Sequence, residues 1–213
     1  MACLVMAAAT FVIVDRVAAG RAESRTAEAF QQGMGTPKRP SVAVRGFPVL
    51  TEPASGTLRH VDITAHDIPA RGTSRTLPVT RLTVELDDLR TSGNADQANA
   101  RAVDARAFLS YEDLSDALGL QISQDTEPGR VKARVVLPSS GEVAVSMAVS
   151  VLSDNCIAFT DVRIAQGKVL AQPVVLRSIP QGLHLRSVAV TATGLDARFT
   201  GDKVTFQPYT SSA

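Results

Sequence analysis

Tryptophan is absent from this 213-residue chain, and aromatic residues make up only 4% of it. Platforms on which bases or sugars stack are therefore scarce. Excess charge is missing too: 22 Lys+Arg against 21 Asp+Glu leave a formal net charge of +1. That balance removes the electrostatic footprint of a nucleic-acid binder. No block of like charge forms a basic arm or an acidic tail. There are two cysteines, Cys3 in an apolar leader and Cys156 in a strand-like run. They offer neither metal-ligand spacing nor a disulfide framework, and Cys156 reads as a small buried hydrophobe.

Catalytic motifs are lacking as well. The sequence contains no EF-hand loop, Walker loop, HExxH, nucleophile elbow or dinucleotide fingerprint. His60 and His66 would share a strand face roughly 20 Å apart at ~3.3 Å per residue, too far for one metal ion. The third histidine, His184, stands alone, and all three read as surface or rim residues. Asp87 and Asp88 are adjacent on a strand and are expected to point to opposite faces. Asp113 and Asp116 fall at i, i+3 on a short helix, where capping and solvation account for them. Ser41, Ser110 and Ser146 have no activating pattern around them. The expectation is a protein that is not an enzyme and uses no cofactor and no metal.

What the chain does have begins with its leader. Met1 to Val14 is uncharged and almost wholly apolar, ending at Asp15-Arg16. As a helix it would reach roughly 21 Å, short of the ~30 Å hydrocarbon core. It matches a signal-peptide apolar region, with Val17-Ala18-Ala19 offering small residues for cleavage before Gly20, although a basic n-region is missing. Residues 1–19 are therefore expected to be a signal or anchor. They direct the chain to the outer face of the cytoplasmic membrane or a periplasm-like envelope space; an ordinary buried helix is the other reading. Residues 20–36 read as helix and linker, rich in Ala, Arg, Glu and Gln without proline and closed by Gly33-Met34-Gly35-Thr36-Pro37.

Residues 37–210 change period from helical to two. Val61, Ile63 and Ala65 alternate with polar neighbours, as do Leu82, Val84 and Leu86. The same holds for Val131 to Leu137, Val143 to Val151, Val188 to Ala192 and Leu195 to Phe199, with Val204 and Phe206 following. Each run has an apolar and a more polar side, the mark of half-buried antiparallel strands. Pro53 to Gly56, Pro138 to Gly141 and Thr200-Gly201-Asp202 read as hairpin connections, and Thr91 to Ala100 as a longer loop. One helix interrupts the strands. Ser110 is its N-cap candidate, acids fill its first turn, Leu114, Ala117 and Leu118 share a face, and Gly119 closes it. Lys168 to Ile179 reads as a short helix or an irregular crossing. Gly46 and Pro48 interrupt an apolar strand around Phe47, implying a bulge, bend or edge.

Taken in order, these segments resemble the LmeA-like phospholipid-binding proteins of actinobacterial envelopes. The matching parts are the apolar segment with its alanine-rich helix, Gly46-Phe47-Pro48-Val49-Leu50-Thr51-Glu52, Gly56 with Val61 to Ile68, and Leu82 to Leu89. Leu109 to Leu114 and the terminal Leu185 to Gly194 run into Val204-Thr205-Phe206 complete them. The resemblance implies an α+β, mostly β fold of tubular lipid-binding type, in which a strongly curved antiparallel sheet packs against a long helix. It further implies binding of phospholipid or another acyl lipid, association with the membrane, and support of envelope lipid or lipoglycan maintenance. Apolar character and placement nominate Phe47, Leu50, Phe108, Leu114, Leu118, Val149 and Phe159 for the groove or its core wall. Arg45, Arg59 and Arg186 are candidates for a lipid phosphate, weighed against solvated strand arginines. The alternative is a membrane-tethered β-sandwich that binds an envelope protein and has no lipid cavity. Oligomeric state is not fixed by the sequence.

Overall fold

The computed structural model describes residues 20–31 apart from 22 and 29, then 36–45, 57–69, 77–91, 98–137, 141–152, 156–164, 167–169, 174–175 and 180–206. The apolar leader and the Gly46 to Thr51 segment lie outside these residues. The strands are β1 (Ser41–Arg45), β2 (Thr57–Ile68), β3 (Val79–Thr91), β4 (Ala98–Ser110), β5 (Gln121–Gln124) and β6 (Arg130–Leu137). They continue with β7 (Gly141–Leu152), β8 (Cys156–Ile164), β9 (Gly167–Val169), β10 (Val174–Val175), β11 (Gln181–Val190) and β12 (Gly194–Phe206). One helix, α1 (Tyr111–Leu118), stands between β4 and β5.

The protein is mostly β, and its described strands form two antiparallel sheets. The first runs β1-β2-β3-β4-β12-β11; the second runs β10-β8-β7-β6-β5, with β9 also paired to β8. Register turns the period-two pattern into a continuous apolar surface. Val44, Val61, Leu86, Val103, Gly201 and Leu183 stand in one row across all six strands of the first sheet. Helical residues at 20–31 cover this surface: Ala27 is buried and Phe30 packs against it. Glu23 Oε1 accepts from the Val44 backbone N–H at 3.0 Å, so an otherwise open edge strand is capped by a side chain.

α1 follows its sequence signals. The Ser110 hydroxyl accepts from the Asp113 N–H at 3.0 Å, and Glu112 and Asp113 complement the positive helix end. Gly119 ends the helix in the left-handed region at φ 65°. Tyr111 and Leu114 are buried, and the Tyr111 hydroxyl donates to the Thr191 carbonyl at 2.8 Å, tying the helix to the β11–β12 turn.

The alternation is broken at one level across the first sheet. Leu58 and Val61, Leu86 and Leu89, Ala100 and Val103, and Gly201 and Val204 all face the apolar side although each pair is three residues apart. Two consecutive residues therefore point outward on each strand: Arg59-His60, Asp87-Asp88, Arg101-Ala102 and Asp202-Lys203. Asp88 (φ 49°) and Lys203 (φ 53°) carry the positive φ that allows this, and β11 shifts register at Gly182 beside them. Register is unbroken across β2, β3, β4 and β12, so these paired outward residues lie side by side along one line, a crease in the pleat of the sheet.

The crease corrects several expectations. Asp87 and Asp88 share the polar side because the left-handed residue adds a half-turn to the strand. Thr200-Gly201-Asp202 lies inside β12 and is no hairpin. β4 begins at Ala98, within the expected loop, and its apolar positions are mostly alanines, which is why periodicity missed it. Gly167–Val169 and Val174–Val175 are strands, so no helix occupies these parts of Lys168 to Ile179. β6 and β7 pair antiparallel up to Leu137 and Gly141, and the expected connection at 138–140 between them lies outside the described residues. The described helical residues make only short helices.

Candidate functional site

Two apolar clusters occupy the inner faces. One belongs to the first sheet and the helix on it; the other joins both sheets and α1. In the second, Val131, Ile157 and Leu195 are 1%, 2% and 1% exposed, so the chain's own side chains fill the space around them. Their direct cross-strand partners Met147, Val151 and Val190 are only partly buried, as are Val149, Phe159 and Val188. They come from β7, β8 and β11, which meet where the sheets join. An aliphatic strip thus lies beside fully packed neighbours and is itself partly open to solvent.

The nominated residues fall in different places. Leu114 (3% exposed), Val149 and Phe159 come together in this cluster, with Val149 and Phe159 direct cross-strand partners. Leu118 is half-buried near the end of α1. Phe108 stands on the opposite, polar side of the first sheet, where the Arg81 guanidinium lies 5.6 Å from its ring centroid. The parity of β4 puts it there, because Ala107 and Leu109 take the apolar side. Phe47 and Leu50 lie outside the described residues. Met147, Val151, Val188 and Val190 were missed as site residues; their alternation marked them as apolar-facing, but nothing in it marked which rows stay half-open.

The polar sides carry ion pairs. Arg45 Nε reaches Asp62 Oδ2 at 2.6 Å, and Arg186 Nε donates to Thr200 Oγ1 at 2.6 Å. His60 Nδ1 lies 2.8 Å from Asp87 Oδ1, and this bond, with lesser help from Asp62, raises the imidazole pKa above its ordinary value. A pocket of about 280 Å³ beside it is lined by Glu85, Asp87, Asp104, Thr200 and Asp202. A second, about 430 Å³, lies at the crease among Asp88, Arg90, Asn99, Arg101, Lys203 and Thr205. Among the described residues no group of three or more His, Cys, Asp or Glu side chains is placed to hold a metal ion.

Among the described residues of the second sheet one charge is buried, Arg130, and it serves as a clamp. Its Nε donates to Ser146 Oγ at 2.8 Å, Nη1 to Asp161 Oδ2 at 2.8 Å, and Nη2 to the Ser146 and Asp161 carbonyls at 3.2 and 2.6 Å. The Ser146 hydroxyl in turn donates to Asp125. Asp161 is the bulged residue of β8, at φ 45°. The clamp therefore satisfies the carbonyls that the bulge displaces. The Ser146 bond lowers the Asp125 pKa, and Arg163, then Arg130, lower that of Asp161. Ser146, one of the candidate hydroxyls, is committed to this network.

The site is therefore an aliphatic strip with charges kept to the outer faces, an arrangement suited to hydrocarbon. No curated protein and no solved structure matches the chain. The family model described as LmeA-like phospholipid-binding matches residues 13–200. With most of its length matched, the chain belongs to the LmeA-like phospholipid-binding family.

Proposed function

We propose that this protein is a non-enzymatic phospholipid carrier or holder of the cell envelope, and that acyl chains lie along the strip formed by β7, β8 and β11. The partly buried row of Met147, Val149, Val151 and Phe159 beside the fully packed Val131 and Ile157 is the observation that carries this reading. Burying each acyl methylene contributes about 0.8 kcal/mol, so a 16-carbon chain gains on the order of 12 kcal/mol before association and ordering costs. A partly open strip captures part of that. Attraction of this kind requires no catalytic group and no cofactor. The aligned breaks in alternation, with Asp88 and Lys203 at positive φ, support a curved first sheet, and the helix seated on it supports the tubular arrangement expected of the family. The leader supports export and attachment at the outer face of the membrane.

Native mass spectrometry of the protein purified from its own envelope tests the reading. Co-purified or exchangeable phospholipid is expected, and Phe159→Asp combined with Val149→Asp should remove it while far-UV circular dichroism stays unchanged. Lipid-free protein that also fails to take up phospholipid from vesicles would refute it. The second reading, a β-sandwich interaction module without a cavity, draws on the near-complete burial of Val131, Ile157 and Leu195. It predicts that lipid-free outcome.

A further inference from the structure

We propose that His60 is a proton-operated clamp at the crease of the first sheet, its imidazolium closing an alternating chain of charges that spans β1 to β4. The chain runs from Arg45 Nε to Asp62 Oδ2 at 2.6 Å and from Asp62 Oδ1 to His60 Nε2 at 3.1 Å. It continues from His60 Nδ1 to Asp87 Oδ1 at 2.8 Å, from Asp87 Oδ2 to Arg101 Nη2 at 3.8 Å, and from Arg101 Nε to Asp88 Oδ2 at 2.6 Å. The signs alternate without a break only when His60 is charged. A neutral ring leaves three carboxylates against two guanidiniums.

The ring geometry points the same way. A neutral imidazole donates through one nitrogen and presents a lone pair at the other. Both His60 nitrogens face carboxylate oxygens, one from its own strand and one from β3, so only the doubly protonated ring satisfies both. The wider surroundings add acid. Glu85, Asp104 and Asp202 line the same pocket, with Asp104 held by Arg198 at 2.6 Å. Arg59 precedes His60 on β2, and Lys203 follows Asp202 on β12. Among the described residues these carboxylates form no group placed to hold a metal ion.

The consequence is a pH-dependent hold on the bend. A histidine whose folded pKa is raised contributes stability that is fully present below its unfolded value of 6.5 and is lost as pH climbs through the folded value. Acidification thus tightens β2 against β3 at the crease, on the reverse side of the wholly buried Val61. Mild alkalinity loosens it. The device is independent of lipid and stands or falls without the reading above.

An NMR titration of the three histidine rings in the full chain, with His60 assigned through His60→Gln, tests the proposal. The His60 midpoint is expected above its ordinary 6.5, and Asp87→Asn should draw it down towards that value. Wild type should melt roughly 1–3 °C above His60→Gln below about pH 6 and lose that advantage as pH rises through the raised His60 midpoint. A His60 midpoint at or below 6.5, or a melting gap that does not change with pH, would overturn the clamp. Should His60→Gln fail to fold, the Asp87→Asn titration decides alone: an unmoved His60 midpoint overturns it.

Discussion

Replacing Arg130 with alanine gives the sharpest energetic test of the second sheet. Only 5% of this residue is exposed, and its guanidinium makes four hydrogen bonds to Ser146 and Asp161. Removing one member of a buried ion pair typically costs 3–5 kcal/mol, because the partner is left charged and unpaired. Here the Asp161 side chain is 40% exposed and keeps its bond to Arg163, so water and that neighbour recover part of the loss. The Ser146 and Asp161 carbonyls recover less, since they sit where the β8 bulge leaves the ladder. The expected loss is about 3 kcal/mol, which in a chain of this size lowers the melting temperature by roughly 6–12 °C. Arg130→Lys retains the charge towards Asp161 but cannot fork to both carbonyls, and should lose about half as much. Thermal and urea unfolding followed by circular dichroism measure both. An Arg130→Ala variant within about 0.5 kcal/mol of wild type would show that the bulge does not depend on the clamp.

Two further outcomes follow from the same geometry. Gly194→Ala should destabilise by more than about 2 kcal/mol, because the added methyl would stand 2.1 Å from the Leu109 carbonyl oxygen, a backbone atom that cannot turn away; equilibrium unfolding reads this, and a neutral variant would mean that β4 and β12 are spaced more widely. Acid should weaken the fold through Asp161 and Asp125, whose pKa values lie below the ordinary 3.8. Their contribution is complete above that value and disappears as pH falls below it towards the folded values. Asp161→Asn keeps a side chain that tolerates positive φ, so it should flatten the fall in melting temperature between about pH 5 and pH 2; an unchanged slope would remove Asp161 from the account.

How much of this was legible in the residues differs from element to element. The row of Val61, Ile63 and Ala65 announced β2 because a half-buried strand needs one apolar face and nothing more local than alternation. Ser110, Glu112, Asp113 and Gly119 announced α1 because capping is a contact between near neighbours in sequence. β4 was not legible: alanines carry little hydrophobic signal, and the outward pair Arg101-Ala102 interrupts the period. The same interruption explains why Asp87 and Asp88 were placed on opposite faces.

The candidate site shows the same division. Sequence marked Leu114, Val149 and Phe159 as apolar, but their meeting depends on β7 and β8 pairing and on the second sheet closing against β11. Phe108 carries as much apolar character as any of them and still faces outward, since strand parity and not residue type assigns its side. By itself the sequence determined composition, periodicity, caps and family, all properties of residues and their nearest neighbours. Tertiary structure alone decided which apolar rows stay half-open, and which charges meet across strands. Those depend on register between segments that are distant in sequence, such as the pairing of Asp104 with Glu85 on one side and Thr200 on the other.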